Sequence, residues 1–371
     1  MTTIKRFFYP IGQGAFYAEK HPNFTFVYDC GNLKNTVIGN NVIKQAFDKN
    51  DVIDILFISH LDYDHISKID KLKSQVNKIK CVILPLLYPD EKSLMLAIYK
   101  AVGYEQAAQF INSPKDYFGD DTKVILIEPT DDNEPIIKEE QTTFADIMKD
   151  DYEVKSGTII GLGYDWVLIP YNHEYISRHN DLRTKLTDEG YIIPDLRNDA
   201  PLILKKLTTP AERNRLKNAY AKLTDGINAN SMLLYSGPSQ THQWRRRIFY
   251  GKYEKSELMH FYYWLYNLIH HKNTEVGCVY TGDSDLNITK ISTIFGNYWR
   301  YIGTIQIPHH GSRHNFDIKQ IKPHTICPIS VGENSFGHPS FDIISELCGN
   351  DCIPICVKDS VDDLYVEEII L

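Results

Sequence analysis

The sequence lacks any apolar run long enough to cross a bilayer, which takes about 20 consecutive residues. Residues 1–10 carry Lys5 and Arg6 but no apolar segment of the length found in signal peptides. Both absences argue against a membrane or secreted protein. The 371 residues are 43% hydrophobic and 24% charged, which is typical of a globular chain with a sizeable core. We therefore predict a cytoplasmic protein with no membrane contact.

A paired cysteine framework and an excess of positive charge are also absent. The seven cysteines are odd in number and mostly lie in apolar runs, so we expect reduced thiols in the core. Cys348, Cys352 and Cys356 are evenly spaced, but no histidine lies among them, which disfavours a structural zinc site. The net charge of −8 weakens nonspecific nucleic-acid binding without excluding a basic substrate channel.

Short apolar runs alternate with helical patterns along most of the chain, which is typical of an α/β protein. We predict strands at residues 24–28, 52–58, 79–84, 124–127, 158–160, 166–169, 231–235, 276–280, 302–307, 325–331 and 353–357. Helices are predicted at 93–112 and 339–347. Residues 130–151 are polar and acidic, and we predict that they form an exposed connection.

Two segments depart from this alternation and are predicted to be insertions in a single domain of residues 1–371. Residues 171–226 are rich in charged and amide side chains and predict a polar helical insertion. Residues 237–275 contain the aromatic stretch 256–271, which predicts an aromatic helical insertion whose rings serve packing or contact. We expect these insertions to offer a surface for a protein partner.

The most informative segment, Ser59–His65, has the sequence Ser-His-Leu-Asp-Tyr-Asp-His and directly follows the predicted strand 52–58. Its metal-capable side chains are His60, Asp62, Asp64 and His65. A strand that ends in such a cluster can present several ligands to one point in space. The alternative is a polar loop with chance ligands, which the preceding strand disfavours.

Three further strand ends or loops offer side chains of the same kind. Asp283 ends a Thr-Gly-Asp turn, and His309 and His310 lie in a Pro-His-His-Gly-Ser sequence. His338 lies in Gly-His-Pro, just before a predicted helix. If the strands are neighbours, their ends converge on one edge of the sheets. The alternatives are a simple turn for Asp283, a surface pair for the adjacent histidines, and a capping or core role for His338.

The pattern His60-x-Asp62-x-Asp64-His65 resembles the metallo-β-lactamase superfamily signature His-x-His-x-Asp-His, with aspartate at the second histidine. Taken together, several ordered segments are more closely similar to the soluble hydrolase domain of the DNA-uptake competence protein ComEC and its free-standing relatives. These segments are Ile11–Gly14, Tyr28–Gly31, Ser59–His65, Asn228–Ser231, Thr281–Asp283, His309–Ser312 and Gly337–Pro339. The resemblance implies a metallo-β-lactamase αββα sandwich, here with helical insertions, and metals at one edge.

The resemblance also implies a site with two divalent metal ions. The implied ligands are His60 and Asp62 for the first ion, Asp64 and His65 for the second, Asp283 as the bridge, and His309 or its competitor His310 to complete the second site. Several carboxylates, few imidazoles and no cysteine favour Mn²⁺ slightly over Zn²⁺, although Zn²⁺ also accepts carboxylate oxygen.

The chain departs from the family at two places. Ala15 stands where the family's Gly-Gln-Gly-Asp motif has a carboxylate, so any role of that acid is absent. Where the broader superfamily supplies a third histidine, this chain offers Asn230 and Ser231, which we predict to bind substrate. Ser312 is a third predicted substrate-binding residue, because it and a nearby helix start can bind a phosphate oxygen. Asp29 is expected either to support a ligand histidine or to be a turn residue.

The chemistry implied by such metals is hydrolysis. A bound divalent ion lowers the pKa of water from 15.7 to about 7, and two ions about 3.5–4 Å apart can clamp a phosphodiester. We predict a metal-dependent phosphodiesterase, most specifically a nuclease acting on DNA, with Asp64, His310 and His338 as catalytic residues. His338 would contact the phosphate or protonate the leaving group.

Two other functions stay open. A hydrolase of a small molecule, such as a cyclic nucleotide or an ester, uses the same chemistry and is favoured by the acidic net charge. An interaction module of a defence or DNA-processing system is the other alternative, by analogy with free-standing relatives.

Overall fold

A computed structural model describes residues 2–33, 37–87, 104–130, 141–149, 153–173, 231–242, 244–250, 275–334 and 337–370, with scattered positions in 91–100, 133–136 and 184–190. Its strands are β1 Thr3–Phe8, β2 Gly14–His21, β3 Phe24–Asn32, β4 Val52–Phe57, β5 Lys78–Pro85, β6 Lys123–Ile127, β7 Gln141–Thr143, β8 Ile159–Gly161, β9 Val167–Asn172, β10 Met232–Gly237, β11 Arg245–Tyr250, β12 Gly277–Tyr280, β13 Ile302–Ile305, β14 Ile326–Ser330, β15 Ile353–Val357 and β16 Tyr365–Ile370. Its helices are α1 Val37–Ala46, α2 Tyr63–Ile66, α3 Ile69–Gln75, α4 Glu105–Asn112, α5 Pro114–Phe118, α6 Phe144–Ile147, α7 Ile291–Ile294 and α8 Phe341–Gly349. None of the helices in these ranges is long and apolar enough to span a bilayer.

The strands form two eight-stranded mixed sheets. The first sheet has the order β11-β16-β1-β2-β3-β4-β5-β6, and its β3 to β6 run parallel. The second has the order β15-β14-β13-β12-β10-β9-β8-β7, and its β12 to β15 run parallel. Each sheet therefore has a parallel half, whose strands all end at the same edge.

Three hydrophobic layers join these sheets and the helices. Ile55 and Phe57 of β4 lie in the layer between the sheets, whereas Leu56 faces the helices outside the first sheet. Outside the second sheet, α7 and α8 bury Ile291 and Ile343. Because parallel strands are buried on both faces, their sequences are apolar runs rather than alternating patterns. The predicted αββα sandwich is confirmed.

The described part of residues 130–151 contains a strand, a helix and buried side chains, which differs from the exposed connection that its polar composition predicts. The segment contains β7, which pairs with β8, and the short helix α6. Ile136 and Ile147 are buried. These two apolar side chains pack into separate hydrophobic layers, and average polarity conceals them.

The two predicted insertions lie mostly outside the described residues. Within 171–226, the structure describes only the end of β9 and a few scattered positions. Within 237–275, it describes β11, which pairs with β16 at the edge of the first sheet. The aromatic stretch 256–271 lies outside the described residues, so the helical insertions and their protein partner stay predictions.

Candidate metal centre

A short turn after β4 carries the four side chains of the Ser59–His65 motif. β3 approaches this turn closely, because Gly31 has no side chain. A Cβ at Gly31 would lie 2.6 Å from backbone atoms of both Asp64 and His65. The Asp-Cys-Gly motif therefore allows β3 to pack directly against the metal-capable turn.

Asp29 fixes the orientation of His65 from behind. The fully buried carboxylate places Oδ2 2.8 Å from His65 Nδ1. An ionised carboxylate only accepts hydrogen bonds, so Nδ1–H donates to it. His65 Nε2 then faces Asp283, whose Oδ1 lies 3.2 Å away. The structure thus favours the supporting role for Asp29 over that of a simple turn residue.

Two hydroxyl groups hold His60 in the same way. Ser59 Oγ donates to Asp29 Oδ2 at 2.6 Å, so it accepts from His60 Nδ1, which is 2.9 Å away. Ser231 Oγ lies 3.1 Å from the same nitrogen and accepts a backbone N–H of the Thr-Gly-Asp turn at 2.9 Å. Asp29 therefore sets the proton position on both histidines, directly on His65 and through Ser59 on His60.

His310 repeats this arrangement on the other side of the cluster. Its Nδ1 lies 2.9 Å from the carbonyl oxygen of Ser330, which can only accept, so Nε2 faces Asp64 Oδ2 at 3.2 Å. By contrast, His309 Nε2 is 4.0 Å from Asp283 Oδ2, and its side chain is 27% exposed. The geometry favours His310 over His309 as the residue that completes the predicted second metal site.

The turn that carries these histidines has an unusual backbone. His309, His310 and Gly311 have φ angles of 48°, 54° and 77°, all in the left-handed region. Residues with side chains rarely adopt this region, and such strain is concentrated at functional sites. A Cβ at Gly311 would lie 2.7 Å from Pro339 Cβ, so the turn packs tightly on the loop of His338.

The ligand atoms form two overlapping groups. One group contains His60, His65 and Asp283, and the other contains Asp64, His65 and His310; within each group the ligand atoms lie within 4.8 Å of one another. His65 belongs to both. Asp62 lies at the margin, with its Oδ2 3.9 Å from His60 Nε2.

A divalent cation would fit this donor set. His60 Nε2 is buried and has no hydrogen-bonding partner in the described part of the chain, and the Asp283 carboxylate lies 3.7 Å away. Such a buried unpaired atom costs about 1–3 kcal/mol, which a bound ion would offset. Imidazole nitrogens with carboxylate oxygens suit both Zn²⁺ and Mn²⁺.

Burial and neighbouring charge set the protonation states of the cluster. Burial, followed by repulsion from His65, lowers the pKa of His60 to about 3. Burial also lowers the pKa of His65, but Asp283 and then Asp29 outweigh it and hold that pKa well above its ordinary value. Burial raises the pKa of Asp283, but His65 and then His309 outweigh it and hold that pKa well below the ordinary value. Neutral His60 and ionised Asp283 are ready to bind a metal, whereas His65 must release a proton.

The three predicted substrate-binding residues differ in their positions. Ser231 is only 1% exposed, and its hydroxyl lies beside His60 Nδ1, so its observed contacts support the cluster, and its substrate contact stays a prediction. Ser312 is also buried, and its N–H donates to the carbonyl oxygen of His309, so that donor is already in use. Asn230 lies outside the described residues.

His338 lies on the loop after β14, beside the cluster. Its ring centroid is 5.8 Å from that of His309. Asn334 holds its backbone, because Oδ1 accepts the His338 N–H at 3.2 Å and Nδ2 donates to its carbonyl oxygen at 2.9 Å. Burial, followed by repulsion from His309 and His310, lowers the pKa of His338 to about 4, so its imidazole is neutral at pH 7.

Two supporting residues escaped the sequence interpretation. Ser59 directly precedes the first ligand histidine, and a hydroxyl at this position after a strand is a weak but usable signal. Ser330 contributes only its carbonyl oxygen, which every residue possesses. No sequence pattern could therefore have indicated Ser330.

The sandwich and the His/Asp cluster at the strand ends are both features that the metallo-β-lactamase resemblance implies. The chain is a mixed α/β protein built as an αββα sandwich of two eight-stranded sheets. No protein-family model matches the chain, and no curated protein matches it. Among solved structures, it is similar to the metallo-β-lactamase fold protein YhfI from Bacillus subtilis, with 9% identity over 99% of this chain and 100% of that chain and a TM-score of 0.41. The resemblance to the ComEC hydrolase domain stays a prediction.

Proposed function

We propose that this chain is a metal-dependent hydrolase whose substrate is a phosphodiester, most specifically DNA. The supporting observation is the shared orientation of His60, His65 and His310. Each Nδ1 faces an oxygen from the protein, and each Nε2 faces the carboxylate of Asp283 or Asp64. This orientation directs the remaining imidazole nitrogens and the carboxylates at one place, which is what a metal site requires.

The residues of the cluster would bind and orient two divalent ions. A divalent ion supplies a water of lowered pKa, about 7, and so a nucleophile at neutral pH. Asp29, Ser59 and Ser231 keep the imidazoles turned toward the ions. We assign to His338 a contact with the phosphate or the leaving group, because its loop packs on the His309–Gly311 turn.

The choice of a phosphodiester follows from the hardness of the donors. Carboxylate oxygens and phosphate oxygens both prefer hard divalent cations, which supports Mn²⁺ together with a phosphate substrate. The resemblance to the ComEC hydrolase domain supports DNA in particular. The net charge of −8 supports the other candidate, hydrolysis of a small cyclic nucleotide or ester. Salt distinguishes the two, because DNA affinity falls steeply with ionic strength.

The test is cleavage of DNA and of bis(p-nitrophenyl) phosphate by the purified chain, with Mn²⁺ and with Zn²⁺. We expect metal-dependent cleavage that Asp64→Ala and His65→Ala each abolish. His242→Ala is the matched control, since this exposed histidine pairs with Asp165 outside the cluster and its loss should leave the rate unchanged. Cleavage that survives both cluster variants would remove this site from consideration. Cleavage of an ester or a cyclic nucleotide, without DNA cleavage, would favour the second candidate.

A further inference from the structure

A cavity of about 370 Å³ lies in the outer helix layer, beside the first sheet. Its size falls within the range of small-molecule sites, about 300–1,000 Å³. Its walls include Tyr63, Asp70, Tyr104, Glu105, Phe110 and Tyr117. The hydrolytic site uses none of these side chains.

The cavity borders the helix that carries two of the candidate metal ligands. Tyr63 and Ile66, three residues apart in α2, share one face of that helix and line the cavity. Asp64 and His65, between them in sequence, belong to the metal groups. The two sites therefore share α2 but use different side chains of it.

Aromatic rings form much of the cavity wall. The rings of Tyr63 and Tyr104 stack, with 3.9 Å between centroids and 16° between planes. Phe110 and Tyr117 pack with 5.3 Å between centroids. Tyr104 is 38% exposed, so the aromatic wall extends to the surface. Aromatic faces attract cations through their quadrupole.

The charged groups of the wall are acidic. Asp70 accepts the Tyr117 hydroxyl at Oδ1, 2.5 Å away, and Glu105 begins α4 at the cavity wall. Among the described residues that line the cavity, none is a lysine, arginine or histidine. Just outside the lining, the Lys73 ammonium lies 4.1 Å from the centroid of the Tyr117 ring, so this ring already attracts a cation. Such a lining disfavours phosphate and other anions.

We propose that this cavity binds a small organic cation, of the ammonium or amidinium class, at a site distinct from the metal centre. Aromatic walls surround the apolar part of such a ligand, and the exposed Glu105 carboxylate balances its charge. Asp70 already has the Lys73 ammonium as a charged neighbour. The proposal does not depend on the hydrolytic function, because binding is measured without turnover.

The test is calorimetric titration of the full chain with choline and with benzamidine. We expect saturable binding. The neutral choline isostere 3,3-dimethyl-1-butanol should bind at least about tenfold more weakly than choline. Glu105→Gln and Tyr104→Leu should each weaken cation binding about tenfold, because one removes the charge and the other a ring. Glu153→Gln, which removes an exposed carboxylate outside the cavity wall, should leave binding unchanged.

Several results would overturn the proposal. Absence of binding by both cations would exclude the ligand class. Equal affinity for the neutral isostere, or tighter binding of a nucleoside such as cytidine, would contradict the assignment of charge. Unchanged binding in both cavity variants, with thermal unfolding confirming that each is folded, would exclude the cavity as the site.

Discussion

Within the described ranges, we compare two buried clusters of charged side chains, which differ in how completely their polar atoms are paired. Between the sheets, the fully buried Arg6 guanidinium donates to the carboxylates of Glu19 and Glu367. Glu19 also accepts hydrogen bonds from the hydroxyls of Tyr280 and Ser236. Every charge in this network therefore has an opposite charge or a donor beside it.

The strand-end cluster is built differently. His60 Nε2 is buried with no hydrogen-bonding partner among the described residues, and the nearest Asp283 oxygen is 3.7 Å away. Asp29 and the hydroxyls of Ser59 and Ser231 contact the Nδ1 atoms of the histidines, on the side away from the carboxylate of Asp283. A fully paired buried network fixes the packing of its surroundings, whereas a cluster held from one side with open nitrogen atoms is suited to bind something else.

The largest effect on stability is expected in the paired network. Arg6→Met leaves Glu19 and Glu367 buried without a counter-charge, and we expect the free energy of unfolding to fall by about 3–5 kcal/mol. Denaturant unfolding of the metal-free protein measures this change. A triple variant that also carries Glu19→Gln and Glu367→Gln should recover most of the loss. A single Arg6→Met variant as stable as the native chain would show that the pairing adds nothing.

The next prediction concerns Asp29, the buried carboxylate that supports the strand-end cluster, and its effect is on metal affinity. Asp29→Asn keeps the shape but loses one acceptor, so the proton positions on His60 and His65 are no longer fixed. Metal affinity should fall about 10–100-fold. Asp54→Asn is the matched control, because this buried carboxylate accepts the Thr25 N–H outside the cluster. Equal metal affinity in both variants would contradict the supporting role of Asp29.

The paired network should also respond to acid. Burial raises the pKa of Glu19, but Arg6 and then His21 outweigh it and lower the pKa from 4.5 to about 2. Because the folded pKa lies below the unfolded one, the stabilising contribution is complete above about pH 4.5 and is lost as the pH falls toward 2. Unfolding free energies measured across this window should depend less on pH in Glu19→Gln. An identical pH dependence in native and variant protein would count against the network's role.

The smallest change in stability is expected at the open cluster itself. His60→Leu removes an unpaired nitrogen, and the neighbouring hydroxyls of Ser59 and Ser231 keep other partners. The free energy of unfolding of the metal-free protein should therefore change by less than about 1 kcal/mol. A loss as large as that in Arg6→Met would mean that both clusters serve the fold alike.

The difference between the apolar strands around the site and the strands that carry the paired charged network explains which parts of the fold the sequence could predict. The strands that carry the site are apolar runs, and their predicted ends lie within two residues of the observed ones, except that β3 extends four residues further. β1 and β16 were missed, because Arg6 and Glu367 interrupt their apolar patterns with charges that are buried only in the presence of each other. β2, β7 and β11 were missed as well. Pairing between distant residues cannot be recognised in a single segment.

Within the site, the sequence indicated residue types but not their directions. The strand-end motifs indicated the histidines and aspartates that the structure groups together. The choice between His309 and His310 depends on a left-handed turn and on the carbonyl oxygen of Ser330. The supporting position of Ser231 depends on where β10 begins beside β12. Both facts arise from the packed backbone.

The most direct test of the metal centre is a titration of the metal-free chain with Mn²⁺ and with Zn²⁺, monitored by calorimetry. We expect saturable binding of two ions per chain in the native protein. Because His65 belongs to both ligand groups, His65→Ala should weaken both binding events, while His242→Ala should change neither. Absence of saturable binding, or binding that His65→Ala leaves intact, would contradict the existence of a metal centre at these strand ends.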